Sequence, residues 1–387
     1  MKKTNSSSWG MFLVIVSAFV GMAGGMLYAP TIPFHAQELG APEWIVTALP
    51  MGLPSIVALI LLIPIGILAD KSGRRKEILL IAMGLTVIAD LGLAFSHSWL
   101  ELAIWRIISG LPFAFMSLYA VVVSFMLPEE RRGSASALAI GSAMLGMGVF
   151  QALSGYLVKA LGGYTGLYYF GAILAALAFL FLLPVKVPVV KSPTGISGKD
   201  IMGVLSNKTI IYTGLFLLIY LTGWQMMYGS FPVVLVNILK VPVVLQTVLF
   251  AVASTMLGFG TFIWGPVIDK IGAKKTLFTG LFLSALATFA MVFLLKNMWG
   301  FVILFWVTTI GGVCGAPGVT FVAMKSVKPE LITIAVNTMF MFIMLPAIIG
   351  GFIAGPIIAG IGLGGMLLVS AILGLIASGM TFGMPKI

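Results

Sequence analysis

Runs of about twenty apolar residues follow one another along almost the whole chain, separated by short charged turns, and this pattern leaves few folds open. A bilayer core of about 30 Å is crossed by a helix of about 20 apolar residues. About twelve such runs fit, at 9–32, 44–69, 77–96, 100–127, 134–158 and 163–185, then at 209–236, 244–268, 275–295, 299–324, 331–359 and 363–384. With 60% hydrophobic and only 9% charged residues, and a mean hydropathy of +1.15, a water-soluble domain of 387 residues is excluded. The runs are continuous in Leu, Ile, Val, Phe, Met and Gly and do not alternate with polar residues, so helices are expected and not barrel strands. Lys2 and Lys3 precede the first run, which is long and has no small-residue cleavage site before Pro30 and Pro33; it reads as a span and not a signal peptide.

The distribution of charge orients such a chain. A net charge of +11 would suggest nucleic acid in a soluble protein. Here, numbering the loops alternately, eighteen cations fall on one side, and only Lys159, Lys240 and Lys296 on the other. The positive-inside rule then expects a multi-pass cell-membrane protein with an even number of spans and both termini cytoplasmic, in contact with lipid and not nucleic acid. Cys314 is the only cysteine, and His35 and His97 fall in short outer loops, so no metal site and no cofactor are expected. A membrane-embedded enzyme would need a converging nucleophile and base, and a channel would need a filter-like loop or a ring of charge. Neither pattern is found in the sequence.

The chain also divides. Residues 186–208 hold Pro188, Pro193, Gly195, Gly198 and four lysines and read as a cytoplasmic linker between an N-terminal bundle, 1–185, and a C-terminal bundle, 209–387. One cassette occurs in each part: Gly66-Ile-Leu-Ala-Asp70-Lys71-Ser-Gly73-Arg74-Arg75-Lys76 and, 199 residues later, Gly265-Pro-Val-Ile-Asp269-Lys270-Ile-Gly272-Ala273-Lys274-Lys275. Pro33 and Pro232 stand at the same offset of 199, so one parallel duplication accounts for both alignments. In such a cassette the glycines permit a tight turn, and the aspartate can accept hydrogen bonds from amides at another helix's N-terminus. The alternative is that its cations only fix topology.

The paired cassettes resemble the loop signature of the major facilitator superfamily, found between the second and third helices and, more loosely, between the eighth and ninth. The resemblance implies an all-α membrane protein of twelve transmembrane helices in two pseudo-symmetric six-helix bundles, working by alternating access, with one chain able to act as a monomer. It also implies that Gly66, Asp70, Gly73, Arg74 and Arg75, with Gly265, Asp269, Gly272, Lys274 and Lys275 as the weaker copy, gate the conformational change.

A second family signature resembles Leu102-Ala-Ile-Trp105-Arg106-Ile-Ile-Ser109-Gly110, on the fourth span. Arg106 lies about six residues inside its outer boundary, where a guanidinium costs a few kcal/mol unless it is paired or wetted. Asp90, about seven residues below the outer end of the third span, is the other ionisable residue well inside a span. The third and fourth spans form a tight hairpin, so the two are expected at one depth and paired. Either Asp90 exchanges a proton while Arg106 swaps between it and substrate, or the pair is a permanent bridge.

A third signature, the antiporter pattern of the fifth helix, is incomplete: Gly146-x-x-x-Phe150-Gln151-x-x-Ser154-Gly155 has Gln151 in place of the proline, while Leu345-Pro346-x-x-Ile349-Gly350-Gly351 on the eleventh span keeps a related run. By resemblance the first, fourth, seventh and tenth spans line the cavity. Candidate substrate contacts are Tyr28, Arg106, Ser109, Tyr119, Gln151, Tyr220, Trp224, Gln225, Tyr228 and Trp306, with no acid deep in those four spans, Glu101 standing at the outer edge of the fourth. An aromatic, methionine-rich wall around one arginine suits a proton-coupled efflux carrier of lipophilic or amphipathic small molecules. The alternative is a uniporter or exchanger of a small carboxylate held by Arg106.

Overall fold

The structure, a computed structural model, describes residues 8–126, 132–187, 198–327 and 332–384, and all regular structure among them is helical. Nine helices of the described residues are long and apolar enough to cross a membrane. Several apolar runs expected as single helices are interrupted, and prolines explain why. A proline supplies no N–H to the carbonyl four residues back and crowds it.

The first run is α1 (Ser8–Met26), a turn through residues 27–31, and α2 (Ile32–Glu38). Pro30 falls four residues after Met26, where α1 ends. The second run is α3 (Glu43–Ala48) followed, past Pro50, by α4 (Gly52–Ser72). Next come α5 (Arg75–Ala94), then α6 (Trp99–Ile108) and α7 (Leu111–Met126), which divide the fourth run at Ser109 and Gly110, with Pro112 four residues after Ile108. α8 (Arg132–Ala160) and α9 (Tyr164–Leu182) follow, and then a short α10 (Gly198–Leu205).

The later part repeats the scheme. α11 (Lys208–Val233) passes into a π-helical turn, Val234–Ile238, just after Pro232. α12 (Val243–Ile271) and α13 (Ala273–Met291) meet at Gly272, and α14 (Met298–Gly312) and α15 (Gly315–Lys325) divide the tenth run. α16 runs from Ile332 to Met380, with Gly362 in a non-helical, positive-φ conformation separating its two parts.

Two compact units result. One gathers the described residues of 1–41, 53–195 and 243–255, the other those of 42–52, 196–242 and 256–387. Neither is contiguous in sequence: the first half of α12 belongs with α1, α5, α8 and α9, whereas α3 belongs with α11 and α16. Within a bilayer, lipid is as apolar as leucine, so helices adhere through close backbone approach and interhelical hydrogen bonds. In the first unit a Cβ on Gly146 of α8 would lie within 2.0 Å of Phe19 O, and one on Gly155 within 3.0 Å of Val244 Cα. In the second, Gly350 of α16 packs in the same way on Thr222 O and Met226 N of α11. The small residues of the damaged antiporter motif are therefore contact points between helices within each unit.

Both cassettes build the same turn. Gly73 has φ +69° between α4 and α5, and Gly272 has φ +81° between α12 and α13, conformations in which a Cβ is strained. Arg74 is exposed, whereas Arg75 is buried at 4% exposure. A cassette lysine also reaches the end of the last helix of its own part: Lys76 Nζ donates to Leu183 O at 2.7 Å, and Lys274 Nζ donates to Phe382 O at 2.7 Å. These cations satisfy carbonyls that a helix C-terminus leaves without partners. The side chains of Asp70 and Asp269, and the surroundings of Gly265, all expected to gate, lie outside what is described.

Candidate functional site

The break at the end of α1 creates the acceptors around which the first unit's polar site is built. Ala29 N donates to Met26 O at 3.1 Å instead of to Gly25 O, as a continuing helix would require, and Pro30 has no N–H to give Met26 O. Gly25 O instead accepts from Arg106 Nη1 at 2.8 Å, and Met26 O from Gln151 Nε2 at 3.1 Å. Arg106 Nη1 also donates to Ser109 Oγ at 2.9 Å, and Nη2 lies 3.4 Å from Met26 Sδ. The turn at Ser109 and Gly110 is held against α4, where a Cβ on Gly110 would fall 2.1 Å from Pro54 O. Ser109 is thus fixed where it can accept from a guanidinium one turn earlier.

Asp90, on α5, joins this group through Tyr28. The Tyr28 hydroxyl donates to Asp90 Oδ1 at 2.6 Å, and the Arg106 guanidinium carbon lies 5.0 Å from the centre of the Tyr28 ring. The expected pairing of Asp90 and Arg106 therefore takes the form of attraction across a tyrosine, with the hydroxyl bound to the acid and the ring face to the base. Asp90, Arg106, Tyr28, Ser109 and Gln151 are all fully buried. Asp90 Oδ2 has no hydrogen-bond partner. It faces α9 at Gly171, where a Cβ would come within 3.2 Å of it.

Gln151 extends the network to α12. Its Oε1 accepts from Ser254 Oγ at 2.6 Å while its Nε2 holds Met26 O, so the residue that replaces the motif's proline ties α8 to both α1 and α12. Tyr119 is spent differently: its hydroxyl is 2.9 Å from Ser17 Oγ, a bond between α7 and α1.

The second unit holds the aromatic candidates. Tyr220 is bound to Ser284 Oγ at 2.7 Å, a tie between α11 and α13. Trp224 stacks on Tyr228 with ring centres 4.7 Å apart, and Phe231 stacks on Phe305 at 3.9 Å, so a column of rings runs along α11 and α14. Trp224 Nε1 and Gln225 Oε1 are buried without hydrogen-bond partners, a donor and an acceptor held ready on adjacent residues. Trp306 is half-buried.

Two features escaped the sequence reading. Gln246, on α12 in the first unit, is fully buried with neither amide atom hydrogen-bonded. His35, Tyr164 and Tyr168 form a cluster near the end of α1: His35 Nδ1 is 2.9 Å from Tyr168 Oη. For Gln246 the available signal is a polar residue in an apolar run; for His35, which falls in a short outer loop, the sequence offers none. No group of three or more metal-binding side chains is brought together among the described residues.

Comparison with known proteins bears on the chain as a whole. The family model described as Major Facilitator Superfamily matches residues 14–257 and again 213–385. The multidrug resistance protein MdtG of Proteus mirabilis is 23% identical over 319 residues, which cover 77% of this chain and 76% of that protein. Among solved structures, a bacterial homologue of the human lysosomal transporter Spinster, inward-facing and unoccupied, superposes with a TM-score of 0.79 at 14% identity, covering 99% of this chain and 98% of that one. The nucleoside transporter NupG, solved as a point mutant, superposes with a TM-score of 0.80 at 16% identity, covering 98% and 100%. At such identities the structures speak for the fold alone, and the family match supplies the rest. The chain belongs to the major facilitator superfamily: it is a multi-pass membrane protein and a secondary transporter of small molecules, acting by alternating access and not by enzymatic catalysis.

Proposed function

We propose that this transporter couples export of lipophilic or amphipathic small molecules to protons, with Asp90 as the proton carrier. The observation that carries this reading is the Asp90–Tyr28–Arg106 arrangement. A buried carboxyl has one oxygen bound to a hydroxyl, the other without a partner, and a cation across the intervening ring. Protonating Asp90 removes the charge that Tyr28 and Arg106 stabilise, and so loosens the contacts between α1, α5 and α6. The aromatic column with Trp224 Nε1 and Gln225 Oε1 supports an apolar, ring-bearing substrate with a few polar atoms. The name of the Proteus relative points the same way. Twelve spans, both termini in the cytoplasm, a monomeric unit in the plasma membrane, and gating by the two cassettes complete the proposal.

A second reading, exchange of a small organic anion, is favoured by the acceptors of Arg106. Three of these acceptors, Gly25 O, Ser109 Oγ and Met26 Sδ, are uncharged, and an incoming carboxylate that displaced them would give the guanidinium a charged partner in their place. Counterflow in proteoliposomes, comparing lipophilic cations with small carboxylates with and without an imposed pH gradient, separates the two. Acceleration by carboxylates alone would remove the first reading. Asp90→Asn that keeps the full response to the gradient would remove Asp90 as the carrier.

A further inference from the structure

Asp90 is deep in its unit, and a proton carrier needs a way in. Above it, at the end of the unit opposite the Lys/Arg-rich cassette, α2 and the first turns of α9 hold a cluster of polar rings. The imidazole of His35 stacks on Tyr164, with centres 4.8 Å apart and planes 16° apart, and Tyr164 donates to Glu38 Oε1 at 3.4 Å. The Nδ1 of His35 is 2.9 Å from Tyr168 Oη. Tyr168 meets the Tyr28 ring edge-on, with centres 5.2 Å apart, and Tyr28 donates to Asp90 Oδ1 at 2.6 Å. Exposure falls along this series: Glu38 is exposed, His35 and Tyr164 are half-buried, and Tyr168, Tyr28 and Asp90 are fully buried.

Asp90 Oδ2, which has no hydrogen-bond partner, faces α9 at Gly171, one helical turn along that helix from Tyr168. A hydrogen bond between histidine and tyrosine is in itself ordinary packing. What distinguishes this one is that it joins a half-buried histidine to a fully buried tyrosine whose ring meets Tyr28, the donor to the buried acid.

We propose that His35 and Tyr168 form the route by which a proton enters and leaves Asp90 from the end of the unit opposite the cassette. The proposal rests on Asp90 being the proton carrier. Water protonates the outer imidazole nitrogen of His35. The Nδ1 proton passes to Tyr168 Oη, and the hydroxyl proton of Tyr168 passes through one bridging water to Asp90 Oδ2, so one proton leaves the medium and one carboxylate becomes a carboxyl. His35 resets by exchanging tautomers. Burial holds His35 below its ordinary pKa of 6.5, so at neutral pH it is a neutral relay with one donor and one acceptor and not a trap for the proton. The titratable and charged groups around the route are Glu38 and Tyr164 at its mouth, Tyr168 along it, and Tyr28 and Arg106 beside the acid.

The test is a pH jump on the full chain in lipid nanodiscs, following the infrared carbonyl band of a protonated carboxyl, with Asp90→Asn identifying the Asp90 contribution. In His35→Gln and Tyr168→Phe the amplitude of the Asp90 band should be retained while its rate of appearance falls about tenfold or more. Tyr164→Phe should leave the rate unchanged. An unchanged rate in Tyr168→Phe, with the Asp90 band present, overturns the relay and leaves Asp90 as carrier. A band that Asp90→Asn does not remove overturns Asp90 itself, and the relay with it. If His35→Gln loses the band altogether, Tyr168→Phe, which keeps the ring and its packing, decides alone.

Discussion

The bond from Tyr28 to Asp90 lends itself to a quantitative test of whether the buried acid carries charge. It is 2.6 Å long and is the hydrogen bond that Asp90 makes, Oδ2 having none. Tyr28→Phe therefore leaves a fully buried carboxylate with no donor to either oxygen. A hydrogen bond to a charged group contributes about 1.5–3 kcal/mol, whereas one between neutral groups contributes about 0.5–1.5 kcal/mol. With Asp90→Asn the partner of Tyr28 becomes a neutral amide. Removing the hydroxyl should then cost about 1–2 kcal/mol less than it does beside the aspartate. The assay is a double-mutant cycle of wild type, Tyr28→Phe, Asp90→Asn and the double variant, unfolded at equilibrium with SDS in mixed micelles near neutral pH. Repeating it in acid, where the carboxyl binds a proton, should shrink the coupling toward zero. A coupling within about 0.5 kcal/mol of zero at neutral pH would mean that the bond is made to a neutral acid, and the electrostatic reasoning would fail.

Other consequences can be checked with single substitutions. Gly110→Ala drives a Cβ to 2.1 Å from Pro54 O, so it should cost about 1–3 kcal/mol in the same unfolding assay, while Gly84→Ala, with nothing within 4 Å, should be close to neutral. Gln246→Leu removes two buried amide atoms that have no partners and should raise stability by about 1–3 kcal/mol; a loss of stability would show that the amide is satisfied in the membrane. Glu101 accepts from His97 N at 2.8 Å, and this bond, to a backbone amide beside the N-cap Ser98, lowers its pKa below 4.5. A lowered carboxylate pKa stabilises the fold above the unfolded value and ceases to do so as the pH falls through the folded one. The acid limb of the stability curve below about pH 4.5 should therefore be weaker in Glu101→Gln, and an unchanged limb would refute this.

The helical membrane architecture was legible because it depends on composition and period alone. Runs long enough to span, too apolar for water and without alternation have one stable solution in lipid. The cassette turns were legible for a similar reason: the glycines at 73 and 272 sit where only a residue without a Cβ is at ease, and both adopt the left-handed conformation. The interruptions at 27–31 and at 109–110 were not drawn, although Pro30 and Pro112 marked them, because a hydropathy window averages over a proline. Lys76 reads from sequence only as a topological charge and Lys274 as a topological and gating one; neither cap is legible there, since the acceptors Leu183 and Phe382 lie 107 and 108 residues away.

Sequence by itself determined that this chain lives in a bilayer and carries a repeated cassette, and it singled out Asp90 and Arg106 as the ionisable residues well inside spans. Tertiary structure alone decided how those charges meet. Tyr28 stands between them because Pro30 ends α1 there, and the freed carbonyls of Gly25 and Met26 then draw in Arg106 and Gln151. It also decided that His35, read as a loop residue, is bonded to Tyr168, 133 residues distant in sequence. The physical reason is the same in each case. Burial in lipid is a property of a segment and can be summed along it, whereas a hydrogen bond between buried groups depends on atoms that only folding brings within 3 Å.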